Sequence, residues 1–385
     1  MYVFPCVKLK INFNFYLIFV QEMISDPSVL YQTPVNVTAP LAFAEIIRKN
    51  HVMTYYLTRS LRRISPVTFR RNVDEHIEIT DVYIPFMAEQ LKQGLSENDT
   101  SKVQIYIVAL GLTGHSKILP VFEPYIEGKK SVSNFQRLLM VSSLSTLSRF
   151  EPELIGPIFY KLYSNVNEDH KIRCMSIHQY ITLNPPLITL QRIAKFTNDD
   201  LNENVISTVK NTINSLANTK RPELQDLATK ARSVRHLLNP KKFNKWNSQS
   251  YYTDLNHWGI RGLSVQTIGD NSVIPSYLRV AVNTVFDFYG LPTLEAGYMV
   301  SNIKQLWDYW KNEETSHELL KKSHIEKLLQ ILQFKSEDLD KLEGQVFINT
   351  VHNLLIYPFD SRTLRKISSR KYPEFYYKII LFLKT

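Results

Sequence analysis

Residues 201–216 read LNENVISTVKNTINSL, and they indicate most clearly which fold the chain adopts. Their apolar side chains recur at steps of four and three residues: Leu201, Val205, Val209, Ile213 and Leu216. That spacing places them on one face of an α-helix. The stretch therefore predicts an amphipathic helix that buries one side against a neighbouring layer.

Similar helical patterns extend from about Ala39 to Leu238. Residues 103–110 (VQIYIVAL) are apolar nearly all round, which predicts a helix covered on several sides. Helical segments of roughly 12–20 residues alternate with breakers, and neighbouring pairs repeat at roughly 35–40 residues. Because two-helix units of this size cannot bury both faces alone, we expect them to stack into a two-layer α-α superhelix, an α-solenoid.

The pattern changes after about residue 245. Residues 247–258 (NSQSYYTDLNHW) are polar and aromatic, and we interpret them as a linker or extended segment. Alternating β-branched and aromatic residues predict strands over 263–268, 276–289 and 294–300. In the strand that contains Leu278, Val280 and Val282, these three side chains share one face, which could contact either lipid or the helical layer. Helical patterns return over 303–310 and 316–334.

We therefore predict the α+β class and divide the chain into three parts. These are an N-terminal segment (1–38), the helical superhelix (39–245) and a partial β-sheet domain (246–385). The apolar run 13–20 follows Lys8 and Lys10, as in a signal peptide, but no small-x-small cleavage site follows it. The other interpretation is a start that belongs to no folded domain. The run is too short to cross a bilayer, which takes about 20 apolar residues.

The positive charge of the chain is concentrated in two stretches. The chain has 46 Lys and Arg against 36 Asp and Glu, a net charge of +10. Residues 48–71 contain no acid, and residues 220–245 are also strongly basic. Such stretches bind anionic lipid, nucleic acid or an acidic partner, or simply form a solvated face. The candidates for contact with an anionic membrane surface are five arginines of the first stretch: Arg59, Arg62, Arg63, Arg70 and Arg71.

Motifs of catalysis and of metal binding are missing from the sequence. It contains no Walker loop, GxGxxG, GxSxG or HExxH, and its two cysteines exclude a disulfide scaffold and a cysteine-based zinc cluster. Its ten histidines are dispersed, and Cys174 fits a buried free thiol. We expect a protein that is not an enzyme and that holds neither a cofactor nor a metal. Two sequons, at Asn36 and Asn98, are candidate glycosylation sites in predicted loops.

Several stretches resemble the helical domain of vitellogenins, especially those of insects. They are 109–128 (ALGLTGHSKILPVFEPYIEG), 150–154 (FEPEL), 158–163 (IFYKLY), 169–173 (DHKIR), 184–186 (NPP), 190–194 (LQRIA), 215–218 (SLAN) and 228–240. Residues 274–277 (IPSY) and 295–301 (EAGYMVS) resemble the start of the family's lipid-binding sheet domain. The resemblance covers roughly residues 40–310 and includes no catalytic signature.

This resemblance implies a large lipid transfer protein, related to apolipophorins, apolipoprotein B and microsomal triglyceride transfer protein. In that family a two-layered superhelix surrounds a lipid cavity lined by β-sheets. The implied function is lipid transport and yolk nutrient storage by a secreted glycoprotein, with phospholipid and neutral lipid as cargo. The implied receptor on the oocyte would be bound through regions absent here, and no nucleic-acid partner is expected.

The chain departs from the family pattern at both ends. The family's N-terminal β-barrel is missing and the sheet domain stops near residue 385, so we expect a fragment. The alternative function is a non-lipid α-solenoid scaffold that binds a protein, an anionic membrane or nucleic acid through its basic stretches.

Overall fold

A computed structural model describes most of the chain in segments. These are residues 33–48, 79–221, 224–243, 247–257, 260–269, 275–284, 294–301, 342–350 and 354–360, together with 21, 22 and 25. Within these segments eleven α-helices precede six β-strands, which confirms the predicted α+β class. The helices predicted over 303–310 and 316–334 lie outside the described residues.

The helical part begins at residue 33 and ends at residue 237. Its α-helices are α1 (Thr33–Ile47), α2 (Ile84–Ser96), α3 (Thr100–Thr113), α4 (Leu119–Ile126), α5 (Asn134–Ser143), α6 (Ser145–Phe150), α7 (Pro152–Ser164), α8 (His170–Thr182), α9 (Leu187–Phe196), α10 (Glu203–Asn218) and α11 (Gln225–Val234). A π-helical turn (Ile79–Tyr83) precedes α2, and 3₁₀ turns lie at Ser116–Ile118 and Arg235–Leu237. The predicted boundary at residues 38 and 39 falls inside α1.

The helices form two layers that alternate along the chain. Helices α3, α5, α8 and α10 pack side by side as an inner layer, and α2, α4, α7, α9 and α11 pack on their outer side. At the crossing of α3 and α5, a Cβ on Gly111 would lie 2.4 Å from the Cβ of Ser143. Only a glycine permits this close approach of the two backbones.

The two layers also differ in how their helices begin. Each inner helix has a side-chain cap that accepts a backbone N–H: Asp99, Ser133, Asp169 and Asn202. Three outer helices, α2, α4 and α7, instead have a proline in the first turn, and Pro186 is the N-cap residue of α9. The repeated helix pairs share little sequence identity, but they share the residue types that begin their helices.

Two arginines, Arg137 (mostly buried) and Arg173 (buried), connect successive helix pairs. Arg137 of α5 donates two hydrogen bonds to Glu168, at 2.8 and 2.7 Å, and one to the carbonyl of Ile126 at the end of α4. Arg173 has the same place in α8: it contacts both carboxylate oxygens of Asp200 and the carbonyl of Tyr163. Each arginine thus connects the end of the outer helix that precedes it to the loop that precedes the next inner helix.

A six-stranded antiparallel sheet lies on the inner helical layer. Its strands are β1 (Gln249–His257), β2 (Ile260–Ile268), β3 (Tyr277–Thr284), β4 (Leu294–Val300), β5 (Glu343–Thr350) and β6 (Leu354–Asp360). Each strand pairs with the next one in the chain. β1 packs on α10, β2 on α8, and β6 on α1 and α3. The helical layer is therefore the support on which the sheet rests.

Of the two interpretations of residues 247–258, linker or extended segment, the structure confirms the second, because β1 occupies most of the stretch. Two other points need correction. β5 and β6 are strands that the sequence analysis did not predict. Leu201, placed in the buried stripe of a helix, is outside it: α10 begins at Glu203 and the leucine side chain is 98% exposed.

The buried Arg173–Asp200 pair allows a stability prediction. Both side chains are 3% exposed, so Arg173→Met would leave Asp200 buried without its counter-charge. We expect this change to lower the free energy of unfolding by about 3–5 kcal/mol, measured from urea midpoints by circular dichroism. Adding Asp200→Leu should restore most of the loss. The matched control is Lys92→Met, which breaks an exposed pair with Glu89 and should cost no more than about 0.5 kcal/mol. Equal losses in the two single variants would contradict the prediction.

Candidate functional site

The pairing register divides the side chains of the sheet between two faces. Residues paired across an antiparallel ladder lie on the same face, and neighbours along a strand alternate. The face that contacts the helices, here called the packed face, consists of Ser250, Tyr252, Asp254, Gly262, Ser264, Gln266, Ile268, Tyr277, Arg279, Ala281, Glu295, Gly297, Met299, Glu343, Gln345, Phe347, Asn349, Leu354, Ile356, Pro358 and Asp360. Ile268, Met299, Phe347 and Ile356 join the hydrophobic core of the helical layer.

The packed face is unusually polar for a surface buried against helices. His178 of α8 lies between two β1 side chains: its Nδ1 is 2.9 Å from the Ser250 hydroxyl, and its Nε2 is 3.4 Å from the Tyr252 hydroxyl. The rings of His178 and Tyr252 stack, with centroids 6.1 Å apart. Burial, with a smaller contribution from the charge of Arg279, lowers the pKa of His178 to about 3. The imidazole is therefore neutral at pH 7.

An ion pair lies in the middle of the packed face. Arg279 Nε of β3 donates to Glu295 Oε1 of β4 at 2.6 Å, and both side chains are mostly buried. Burial by itself would raise the pKa of Glu295, but the charge and hydrogen bond of Arg279 outweigh it, so the pKa is lowered. At the start of β5, the hydroxyl of Ser133, the N-cap of α5, donates to Glu343 at 2.9 Å. Arg279, Glu295 and Glu343 thus have their partners on the packed face.

The opposite face, here called the open face, is apolar. It consists of Gln249, Tyr251, Thr253, Leu263, Val265, Thr267, Leu278, Val280, Val282, Leu294, Ala296, Tyr298, Val300, Gly344, Val346, Ile348, Thr350, Leu355, Tyr357 and Phe359. None of the residues in this list is charged. Leu278, Val280 and Val282, which the sequence left between two faces, therefore point away from the helices.

The open face keeps its side chains accessible. Every member except Gly344 is half-buried or exposed, and Tyr251 and Leu294 are 45% and 47% exposed. Six strands spaced by about 4.8 Å span about 24 Å. A patch of that width and similar length covers roughly 500 Å², comparable to the largest apolar patches on ordinary monomers. Among the described residues, this is the surface best suited to bind an apolar ligand.

The structure describes some of the site residues predicted from the sequence and leaves others outside the described segments. Arg59, Arg62, Arg63, Arg70 and Arg71 lie outside the described residues, so their role stays a prediction. Asn98 lies in the expected exposed turn between α2 and α3, with a φ of 52°. Asn36 does not lie in a loop, because α1 includes it. Cys174 is a buried free thiol, as expected.

Sequence reasoning missed the polar contacts beneath the sheet. His178 was treated as one of several dispersed histidines, and its partners Ser250 and Tyr252 fell in the stretch interpreted as a linker or extended segment. The signal that could have found them is the alternation of β1 itself, in which a polar residue at every second position indicates one shared face.

None of the helices in the described segments combines the length and apolarity that a membrane span requires. No group of three or more His, Cys, Asp or Glu side chains in these segments is placed to hold a metal ion.

Comparison with known proteins gives a consistent family assignment. Residues 12–214, more than half of the chain, match the family model described as the vitellogenin TPR domain. Vitellogenin-1 of Solenopsis invicta is 37% identical over 356 residues, and vitellogenin of Anthonomus grandis is 28% identical over 367 residues. Each alignment covers 90% of this chain but only 21% and 20% of the relative. The chain thus spans about a fifth of the length of these relatives.

A solved structure shares the fold. The structure titled "Lipid-protein interactions in lipovitellin" aligns with a TM-score of 0.65 over 92% of this chain and 33% of its own, at 15% identity. The molecule is therefore an α+β protein in which a two-layer helical solenoid supports a sheet with an apolar open face. It belongs to the vitellogenin family.

The neutral His178 predicts a pH dependence of stability. A histidine in the unfolded chain titrates near pH 6.5, whereas the folded pKa is about 3. As the pH falls from about 6.5 to 3, only the unfolded chain takes up this proton, so the contribution to stability is present above pH 6.5 and lost on acidification. We expect His178→Asn to flatten the fall of the urea midpoint between pH 6.5 and 4. The control His236→Asn, at an exposed histidine, should keep the wild-type slope.

The two sequons predict different glycosylation. Asn98 is exposed in a turn, whereas Asn36 is half-buried within α1, where a bulky glycan would disturb packing. After expression in an insect secretory host, we expect glycopeptide mass spectrometry to find a glycan at Asn98. Asn98→Gln should lower the intact mass by one glycan, and Thr38→Ala should change it only by the substitution. A glycan mapped to Asn36 would contradict this expectation.

Proposed function

We propose that this chain takes part in lipid transport and yolk nutrient storage and that the open face of its sheet is the surface that contacts lipid. One observation carries the proposal: the six-stranded sheet turns Arg279, Glu295 and Glu343 toward the helices and a mostly apolar, accessible face away from them. The vitellogenin relatives and the lipid-protein interactions named for lipovitellin support it. The whole relatives are about five times longer, so the activity is proposed for this chain as a part of such a carrier.

The open face would hold lipid without specific recognition. The hydrophobic effect is non-directional and scales with the apolar area removed from water, at about 25 cal/mol per Å². Val265, Val280 and Ala296 form one cross-strand row at the centre of the sheet, where acyl chains or neutral lipid could lie. Because this row is made of aliphatic side chains, a lipid headgroup finds no ionic partner within it and is expected to point away from it.

The remaining properties follow from the carrier function. The cargo would be phospholipid and neutral lipid, with no cofactor and no catalytic residue. The protein would act outside the cell, in circulation and yolk, with an oocyte receptor as a partner. The alternative, a non-lipid solenoid scaffold, gives no reason for an accessible apolar face on a sheet that the solenoid supports.

A charge placed in the open face tests the function. We expect Val280→Glu to reduce binding of a fluorescent fatty acid to the full chain by roughly tenfold or more, because a carboxylate resists transfer into an apolar contact. Val280→Ala should reduce it much less. Since Val280 points away from the helices, the helical circular dichroism signal and the urea midpoint should change little.

The matched control is Ile188→Glu, which places the same charge at an exposed apolar residue at the start of α9, away from the sheet. It should leave fatty-acid binding unchanged. If Val280→Glu also bound the probe normally, the open face would not be the lipid contact.

A further inference from the structure

A second accessible apolar feature lies in the loops between the helices, at residues that precede the sheet in the sequence. Leu201 is 98% exposed in the loop between α9 and α10, and Val166, in the neighbouring loop between α7 and α8, is 60% exposed. Both loops connect an outer helix to the next inner helix, so they lie on the same rim of the two layers. Exposed single leucines are common, so the surroundings decide whether this one has a role.

The backbone on both sides of Leu201 is fixed. The carboxylate of Asp200 pairs with Arg173 and accepts a hydrogen bond from the Asn202 N–H at 2.9 Å. The side chain of Asn202 in turn caps α10 through the N–H groups of Asn204 and Val205. The backbone around Leu201 is thus fixed by hydrogen bonds of its neighbours. Its side chain stays exposed to solvent and adds almost nothing to the buried core.

A basic segment is attached to the same loop. Asn239 donates two hydrogen bonds to Thr197, at 2.9 and 3.0 Å, and Asn198 donates to the carbonyl of Leu237 at 3.1 Å. These contacts bring residues 239–243 against the end of α9. The segment is therefore a fixed neighbour of the Leu201 loop.

This segment and the end of α9 bring positive charge to the same region as the Leu201 loop. Lys195 and Lys242 are exposed, and Lys241 pairs with Glu203 at 2.5 Å. The ammonium groups of Lys210 and Lys241 lie 5.6 and 5.9 Å from the ring centre of the partly buried Phe243. Among the nearby acids Asp200 and Glu203 are paired, and Asp199 is exposed, so positive charge is in excess.

We propose that this surface, here called the docking rim and defined by Leu201, Phe243, Lys195, Lys241 and Lys242, binds a membrane surface of anionic phospholipid. Leu201 enters the headgroup region and the lysines contact the phosphates and carboxylates around it. A protruding apolar side chain within a group of lysines matches such an interface, which is apolar below and negatively charged above. The inference is independent of the proposed lipid-carrying face, since it uses different residues.

The experiment is vesicle flotation of the full chain with two lipid compositions. Phosphatidylcholine vesicles with one third phosphatidylserine should bind the chain, pure phosphatidylcholine should bind it weakly, and added salt should release it. Leu201→Asp and Lys242→Glu should each weaken binding, and the double variant by roughly tenfold or more. Both positions are exposed, so these changes should preserve the fold.

Matched controls carry the same changes away from the docking rim. Ile188→Asp lies at the opposite end of α9, and Lys117→Glu lies in the exposed turn before α4. Both should bind the anionic vesicles like the wild type. Unchanged binding of the rim double variant would overturn the proposal, as would equal binding to the two vesicle types or binding to no vesicle at all.

Two further measurements separate this inference from the others. Reversing Arg62, Arg63, Arg70 and Arg71 to Glu tests the first basic stretch: if only this variant lost vesicle binding, the docking rim would be excluded. Fatty-acid binding by the rim variants should equal that of the wild type. Loss of vesicle binding with normal fatty-acid binding supports the rim, whatever the outcome for Val280→Glu.

Discussion

Hydrogen bonds between the inner helices and the packed face, beside the buried ion pair of Arg279 and Glu295, set which face of the sheet meets the helices. The two charged residues lie on neighbouring strands and pair with each other, so this pair could form on either face. The bonds of His178 to Ser250 and of Ser133 to Glu343 cross from helix to sheet. A register slip of one residue would move every side chain to the other face and break these bonds, so they favour the observed orientation. The accessibility of the apolar face depends on this orientation.

The helical layers provide the rigid surface that this orientation requires. Side-chain caps begin the inner helices and prolines begin most outer ones, so the alternation of layers is encoded locally. Arg137 and Arg173 then join each helix pair to the next through buried carboxylates. The inner layer in turn offers polar partners to the sheet, among them His178 and the hydroxyl of Ser133. The sheet is therefore held by directional hydrogen bonds in addition to the apolar contacts of residues such as Ile268.

Sequence patterns predicted the elements whose buried face is apolar and did not identify β1, whose buried face is polar. The helices bury their apolar stripes, so periodicity predicted them, and Val205, Val209 and Ile213 are indeed buried. Strands β2, β3 and β4 were recognised by alternation alone. β1 was not, because its buried face carries Ser250, Tyr252 and Asp254, and polar residues are expected to face water. For the same reason no pattern could decide that Val280 points outward, since the answer lies in contacts between distant segments.

The polar contacts of the packed face also explain how an apolar face can remain open in a folded protein. Apolar surface is normally turned inward, and the open face could bury more area by exchanging places with the packed face. That exchange would break the hydrogen bonds of His178 to Ser250 and of Ser133 to Glu343 and leave buried polar groups of the helices without partners, so it is opposed by hydrogen bonding. Replacing these polar residues with apolar ones could raise stability, as it does for some buried ion pairs, while removing what keeps the apolar face outward. The polar contacts between helices and sheet thus leave accessible an apolar surface that the protein's own helices do not cover.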